Sequence, residues 1–343
     1  MQTLLNTLYV STQMAYLHLD NDTLRVEVER QTRLRVPLHH LGGVVLFGNV
    51  LVSPALIHRL ADEGKSLVLL TENGRFKARM EGPVSGNILL RQAQHACAAD
   101  QAFTLTIARA FVAGKIRNAR QVLLRAAREA KDEGDRAHLT RRADDLAAAL
   151  RTLPAAGDLD TVRGVEGEAA RQYFAGLNLV LRPESRAVFA MDGRSRRPPR
   201  DRINALLSFL YAMLMNDCRS AVEAVGLDPQ LGFLHAVRPG RAALALDLME
   251  EFRAQADRLA LTLINRGQLQ AGDFTEHEGG AVTLADAGRK TVIVAWQEKK
   301  REELAHPLLQ QAVAIGLLPL LQARFLARTV RREMASYLPF LSR

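Results

Sequence analysis

The chain has 343 residues, 48% hydrophobic and 24% charged, a balance that suits a globular protein of about two domains and excludes a disordered chain. Two cysteines, Cys97 and Cys218, exclude a disulfide framework and a cysteine-based zinc site, and both sit in apolar helical patterns as expected of buried, inert thiols. Lysine and arginine exceed aspartate and glutamate by 46 to 37, and the resulting charge of +9 favours a polyanionic partner through release of counterions from phosphates.

The opening "MQTLLNTLYVSTQ" lacks the basic start and small-residue cleavage site of a signal peptide. From Thr3 to Met80 the pattern is short and alternating. "TLYV", "AYLHL", "LRVEV", "LRVPL", "GVVLFG", "SLVLLT" and "RFKARM" predict strands, many bounded by turn residues such as "DND" and "ENG". One helix interrupts them: Ser53-Pro54 is a cap followed by a first-turn proline, and Gly64 is a stop. After Glu81 to Asn87 the grammar changes. "NILLRQAQHACAAD" and "FTLTIARAFVAGKIRNARQVLLRAAREAKDEG" carry apolar residues three and four apart, and helical patterns continue to the C-terminus. The expected fold class is therefore α+β, with a small β-rich domain over residues 1–82 and a larger all-α domain over 83–343. The charged faces of Lys115 to Lys131 and Arg136 to Arg151 read as solvated helix surface. No run approaches the ~18 apolar residues of a membrane span. The nearest, Ala205 to Met215, is broken by Ser208, so no membrane association and a cytoplasmic location are expected.

There is no G-x-x-x-x-G-K-[ST], no strand–G-x-G-x-x-G–helix, no C-x-x-C and no H-E-x-x-H, which removes most of the case for nucleotide hydrolysis, dinucleotide binding and zinc-protease chemistry. Three other stretches stand out. In "VRGVEGEAARQYF", Glu166 lies between Gly164 and Gly167 and reads as an acid at a helix start. In "DGRSRRPPRDRINALLSFLY", five arginines fall between Arg194 and Arg202. Asp201 is a natural N-cap, and Asn204 is a polar group expected to be buried and hydrogen-bonded. In "LGFLHAVRPGRAALALDLMEEFR", His235 precedes an apolar segment carrying Asp247, Glu250 and Glu251. On a helix Asp247 shares a face with both Glu250 and Glu251, and crowded acids repel unless a cation lies between them. Helix geometry does not choose between Glu250 and Glu251.

Taken together the three stretches resemble the CRISPR-associated integrase, the endonuclease-like protein of spacer acquisition. "GVEGEAARQYF", "RRPPRDRINALLSFLYAML" and "GLDPQLGFLHAVRPGRAALALDLMEEFR" carry the likeness. "ADRLALTLINRGQL", "GDFTEHEGGAVTLADAGRK" and "HPLLQQAVAIGLLPLLQARFLAR" extend it, and the ending "SYLPFLSR" resembles the type I-C subtype. The resemblance implies an N-terminal β-rich dimerisation domain and a C-terminal helical domain that binds metal and DNA. It implies a Mn²⁺ or Mg²⁺ ion on Glu166, His235 and Glu250, with Asp247 as a supporting catalytic acid; the histidine tilts the choice toward Mn²⁺. It also implies joining of prespacer 3′-hydroxyl ends into the repeat by transesterification, together with nuclease activity. Partners follow: prespacer and repeat DNA, and a small ferredoxin-like subunit whose dimer bridges two homodimers of this chain. Arg196, Arg197, Arg200, Arg238, Arg241 and Arg253 are the expected phosphate contacts. With the metal site, Gly164 and Gly167 become places where DNA or a neighbouring helix approaches closely. The alternative function is a structure-selective repair nuclease acting on branched DNA.

Overall fold

A computed structural model describes residues 6–80, 82 and 88–342. The expected boundary at 81–87 lies outside the described residues, except for Gly82. The elements begin with β1 (Asn6–Val10), β2 (Tyr16–Asp20), β3 (Thr23–Val28), β4 (Gln31–Pro37), β5 (Leu41–Phe47), β6 (Leu51–Val52), α1 (Pro54–Asp62), β7 (Ser66–Leu70) and β8 (Phe76–Met80). The strands form two four-stranded sheets, in the orders β1-β5-β7-β8 and β4-β3-β2-β6. In the first, β5 pairs parallel with β1 and β7, and β8 closes the edge antiparallel. The second is an antiparallel meander of β2, β3 and β4, to which β6 adds in parallel. As expected, the Ser53 hydroxyl caps α1, accepting from the Leu56 amide.

Strand β5 explains how this β-rich part joins the rest. Successive side chains alternate between faces of a sheet. Val44 and Leu46 enter a small core between the two sheets, shared with Leu17, Leu24, Leu56 and Leu60. Val45 and Phe47 point the other way into the main helical core, where Phe47 stacks on Phe209 at 5.3 Å. A strand covered on both faces reads as a continuous apolar run, as "GVVLF" does.

The remainder is mostly helical: α2 (Ile88–Ala99), α3 (Gln101–Glu129), α4 (Glu133–Thr152), α5 (Leu159–Leu177), α6 (Pro183–Phe189), α7 (Arg202–Val225), α8 (Ala243–Met249) and α9 (Arg253–Asn265). After β9 (Phe274–Glu276) and β10 (Val282–Leu284) come α10 (Asp286–Arg301), β11 (Glu303–Ala305), β12 (Ala312–Ala314) and α11 (Leu318–Val330). The expectation of an all-α second part therefore needs correcting: two antiparallel hairpins, β9/β10 and β11/β12, interrupt it. Helix α3 runs through the middle with Phe111, Val112, Ile116, Ala119 and Leu123 buried. Full burial of such side chains contributes about 1.5–3 kcal/mol each. Beyond α11 the chain returns across α3. Tyr337 and Phe340 are buried, Phe340 stacks on Phe252, and Pro339 passes so close to Gly114 that a Cβ there would stand 2.8 Å from the proline. Both cysteines are buried. Among the described residues no helix is long and apolar enough to cross a membrane.

Candidate metal centre and nucleic-acid interface

Helices α3, α5, α7 and α9 and the turn after α8 enclose a cavity of about 200 Å³ whose walls include Lys115, Glu166, His235, Glu250, Arg253 and Asp257. Residues far apart in the chain thus face one space. Glu166 does not stand at a helix start. The N-cap of α5 is Asp158, whose carboxylate accepts from the Thr161 amide at 2.7 Å, so Glu166 projects about two turns further on. A Cβ at Gly164 or Gly167 would meet nothing within 4 Å. Among the described residues no neighbouring helix approaches there, and these glycines border open space.

The segment carrying His235 is built around Asp247. This carboxylate is fully buried at the C-terminal end of α8. Its Oδ2 accepts from the amides of Phe233 (2.6 Å) and Leu234 (2.9 Å), and its Oδ1 from the His235 amide (2.9 Å). The same Oδ1 lies 2.7 Å from His235 Nδ1. A carboxylate only accepts, so in the neutral imidazole the proton sits on Nδ1 and Nε2 keeps its lone pair. Nε2 stands 3.8 Å from Glu250 Oε1. Asp247 thereby fixes tautomer and ring orientation, as a carboxylate behind a metal-bound histidine does, and has no oxygen left over for the cavity. Gly232 is required here: a Cβ on it would lie 2.6 Å from Asp247 Oδ2.

The turn after α8 separates the two adjacent glutamates. Glu250 faces the cavity. Glu251 faces away, with no exposed surface, and accepts from Gln322 Nε2 (2.9 Å), the Phe340 amide (2.6 Å) and the Tyr337 hydroxyl. Burial pushes the Glu251 carboxyl up to about 8. It is a buried anchor for the segment after α11. Glu250 is equally buried, and burial works to raise it, but Arg253 and then Lys115 hold its carboxyl well below the usual carboxylate range. Arg253 Nε and Nη2 donate to its two oxygens at 2.8 and 2.9 Å.

Lys115 completes the cluster. Its ammonium lies 2.7 Å from Glu250 Oε2 and also bonds Glu166 Oε1. Among the described residues no three His, Cys, Asp or Glu side chains converge closely enough to hold an ion in this arrangement, and the ammonium is what stands between the two carboxylates. The donor chemistry nonetheless fits a divalent cation. Two carboxylates already share one positive charge, and the lone pair of a pre-oriented imidazole lies beside them.

The expected phosphate contacts divide. Arg196, Arg197 and Arg200 are exposed, and Arg196 lines the cavity. Arg238 is exposed beside Arg241, whose guanidinium is disfavoured by partial burial and then by Arg238, Arg163 and Arg197 around it. Such crowding of cations is what a phosphate backbone relieves. Arg253 is placed differently: its Nε and Nη2 are both on Glu250 and its guanidinium lies 4.7 Å from the centre of the Tyr211 ring, inside the cavity. Arg194 and Arg202 are structural. Arg194 donates to Asn204 Oδ1 (2.6 Å) and Ser208 Oγ (3.2 Å), and Arg202 pairs with Glu276. Asp201 caps α7 through the Asn204 amide, and Asn204 is buried with its side chain satisfied.

Lys115 and the group around Asp257 were not legible as site residues. Lys115 belongs to a stretch expected to be solvated helix surface, yet it sits on the stripe of Phe111, Val112, Ile116 and Ala119; a cation on an apolar stripe was the available signal. Asp257 accepts from the hydroxyls of Tyr211 (2.6 Å) and Tyr173 (3.0 Å), and burial pushes its carboxyl up to about 6. Nothing in its spacing distinguished it.

Residues 8–298 match the family model described as CRISPR associated protein Cas1. The chain is 53% identical over 344 residues to CRISPR-associated endonuclease Cas1 1 of Moorella thermoacetica, with full coverage of both. In fold it resembles a casposase bound to its integration product (TM-score 0.83, 21% identity, covering 97% of this chain and 93% of that one). It also resembles a chain of a Cas6-RT-Cas1–Cas2 complex (TM-score 0.84, 23% identity, covering all of this chain and 37% of that one).

Proposed function

The chain belongs to the CRISPR-associated Cas1 family, and from that premise we propose that it is a metal-dependent DNA integrase and endonuclease of CRISPR adaptation. The reaction is attack of a prespacer 3′-hydroxyl oxygen on a repeat phosphorus: a new P–O bond forms, the bond to the repeat strand's own 3′ oxygen breaks, and that oxygen leaves as a hydroxyl after gaining a proton in exchange for the one the nucleophile loses; water in place of the hydroxyl gives strand cleavage. The observation that carries this reading is the cavity in which Glu166 and Glu250 share a single cation beside the imidazole of His235. Glu166, His235 and Glu250 would hold a Mn²⁺ or Mg²⁺ ion, which would supply polarisation of the phosphodiester and stabilisation of developing charge.

The chain's own groups do the rest. Asp247 keeps the His235 proton on Nδ1 and Nε2 directed into the cavity. Arg253 offsets the charge of Glu250, which burial alone would neutralise. Arg196, Arg197, Arg200, Arg238 and Arg241 bind and orient the DNA backbone at the rim. The casposase and the Cas1–Cas2 complex that share this fold support DNA and a Cas2-type subunit as partners. The assembly we propose is a homodimer formed through the β-rich N-terminal part, two of which flank a dimer of that subunit. The subtype is type I-C, from the ending "SYLPFLSR". The test is strand transfer of a labelled 3′-hydroxyl oligonucleotide into branched DNA with Mn²⁺. Glu166→Ala and His235→Ala should abolish joining and hydrolysis while keeping the fold. Full activity in either variant, or in excess chelator, would refute the site. Hydrolysis without joining by the wild type would favour a structure-selective repair nuclease.

A further inference from the structure

This inference rests on the metal-centre reading and extends it to one side chain. Two cations neutralise Glu250, and they are held differently. Arg253 is fixed by both carboxylate oxygens and by the face of Tyr211. Lys115 reaches in from α3 on a flexible four-carbon stem and ends in a point charge. That ammonium is what Glu166 and Glu250 have in common, bonded to one and 2.7 Å from the other. A divalent ion bound to an oxygen of each carboxylate sits about 2.0–2.6 Å from both, so it and the ammonium compete for one place.

We infer that Lys115 is an exchangeable counter-cation: it holds the two carboxylates together, leaves when a divalent ion enters, and passes its charge to a phosphate of bound DNA. The cavity offers the displaced ammonium no other free carboxylate among the described residues. Its remaining acid, Asp257, has one oxygen on Tyr211 and the other on Tyr173. The other charged neighbours, Arg194, Arg196 and Arg253, repel it. An anionic substrate is the partner that restores its ion pair, so metal and DNA bind with positive coupling, and by linkage each tightens the other by the same factor.

The test measures Mn²⁺ affinity of the full chain from the electron paramagnetic resonance signal of free Mn²⁺, with and without a branched DNA oligonucleotide. Without DNA, Lys115→Met should bind Mn²⁺ about tenfold more tightly than wild type, because no resident charge has to leave. DNA should tighten Mn²⁺ binding about tenfold more in wild type than in the variant, where only the ion's own contact with the phosphodiester couples the two. Lys115→Arg, whose planar fork can span both carboxylates and resist displacement, should bind Mn²⁺ more weakly than wild type. Equal Mn²⁺ affinity in wild type and both variants, with binding still lost in His235→Ala, would overturn this inference while leaving the metal centre standing. The same holds if DNA tightens Mn²⁺ equally in wild type and Lys115→Met. Mn²⁺ binding that is absent from wild type, or indifferent to His235→Ala, would overturn the metal centre and this inference with it.

Discussion

Asp247→Asn is the most informative single change, because it keeps shape and removes one charge and one acceptor. Asp247 Oδ2 receives two amide N–H groups, and Oδ1 receives the His235 amide and the imidazole Nδ1. An asparagine has one oxygen and one NH₂, so either orientation of the amide sets donors against donors. With NH₂ toward Phe233 and Leu234, two buried amides lose their acceptor. With NH₂ toward His235, the His235 amide loses its acceptor, and the ring satisfies the NH₂ only by moving its proton to Nε2. Hydrogen bonds to a charged group are worth about 1.5–3 kcal/mol each, so losing two costs roughly 3–6 kcal/mol of stability. Where the proton moves to Nε2, the lone pair that would face a metal is gone, and affinity should fall about 10–100-fold. Urea denaturation followed by circular dichroism measures the first effect, and Mn²⁺ titration measures the second. Stability within about 0.5 kcal/mol of wild type together with unchanged Mn²⁺ affinity would refute the assignment of Asp247 as the group that positions His235.

The remaining predictions concern pH, the glycines and the arginine rim. Burial raises Asp257 in the folded state to about 6 from an ordinary 3.8, so the folded protein holds that proton more tightly. This group's contribution to stability is therefore fullest below pH 4 and is lost as pH rises toward and past 6, by up to about 3 kcal/mol. Comparing urea midpoints of wild type and Asp257→Asn between pH 4 and 7 should show wild type losing ground steadily, and parallel curves would contradict it. Gly164→Ala with Gly167→Ala should stabilise α5 by about 1–2 kcal/mol in total, since nothing crowds either position and alanine is the better helix former. A lower melting temperature would show a close approach that the structure does not contain. Replacing Arg196, Arg197 and Arg200 by alanine should weaken DNA binding and flatten its salt dependence, by about 0.9 in log–log slope for each phosphate that is no longer neutralised. An unchanged slope would assign the loop to solvent.

Legibility in the sequence followed the length of each signal. Strands such as "LRVEV" and "SLVLL" alternate or run apolar over five or more residues, and all seven predicted strands are found. Two-residue β6 and the three-residue strands of the two hairpins are too short for any periodicity; Gly279 and Gly280, both at positive φ, form the first hairpin's turn. At the site, caps and acids on single helices were readable: Asp201 as cap, and Asp247 with Glu250 and Glu251 near one helix, the choice between the two glutamates coming from the resemblance alone. What escaped depended on contacts between distant segments. Asp247 takes its role from amides twelve to fourteen residues earlier, Lys115 from acids on two other elements, and Arg253 from a tyrosine on α7. The reading of Lys115 to Lys131 as one solvated run failed at Lys115 because charge counting ignores which face of α3 a basic residue takes.

The segment after α11 is fastened where it matters most. Asn118, one turn along α3 from Lys115, donates to the backbone carbonyls of Glu251 and Phe340, and the carboxylate of Glu251 is satisfied by Tyr337 and the Phe340 amide. During synthesis the acids and the lysine therefore emerge from the ribosome well before the strap that locks their backbone in place. A polypeptide released before Tyr337 would carry Glu251 without its latch, and its neighbour Glu250 would lose the fixed stance that the cavity requires.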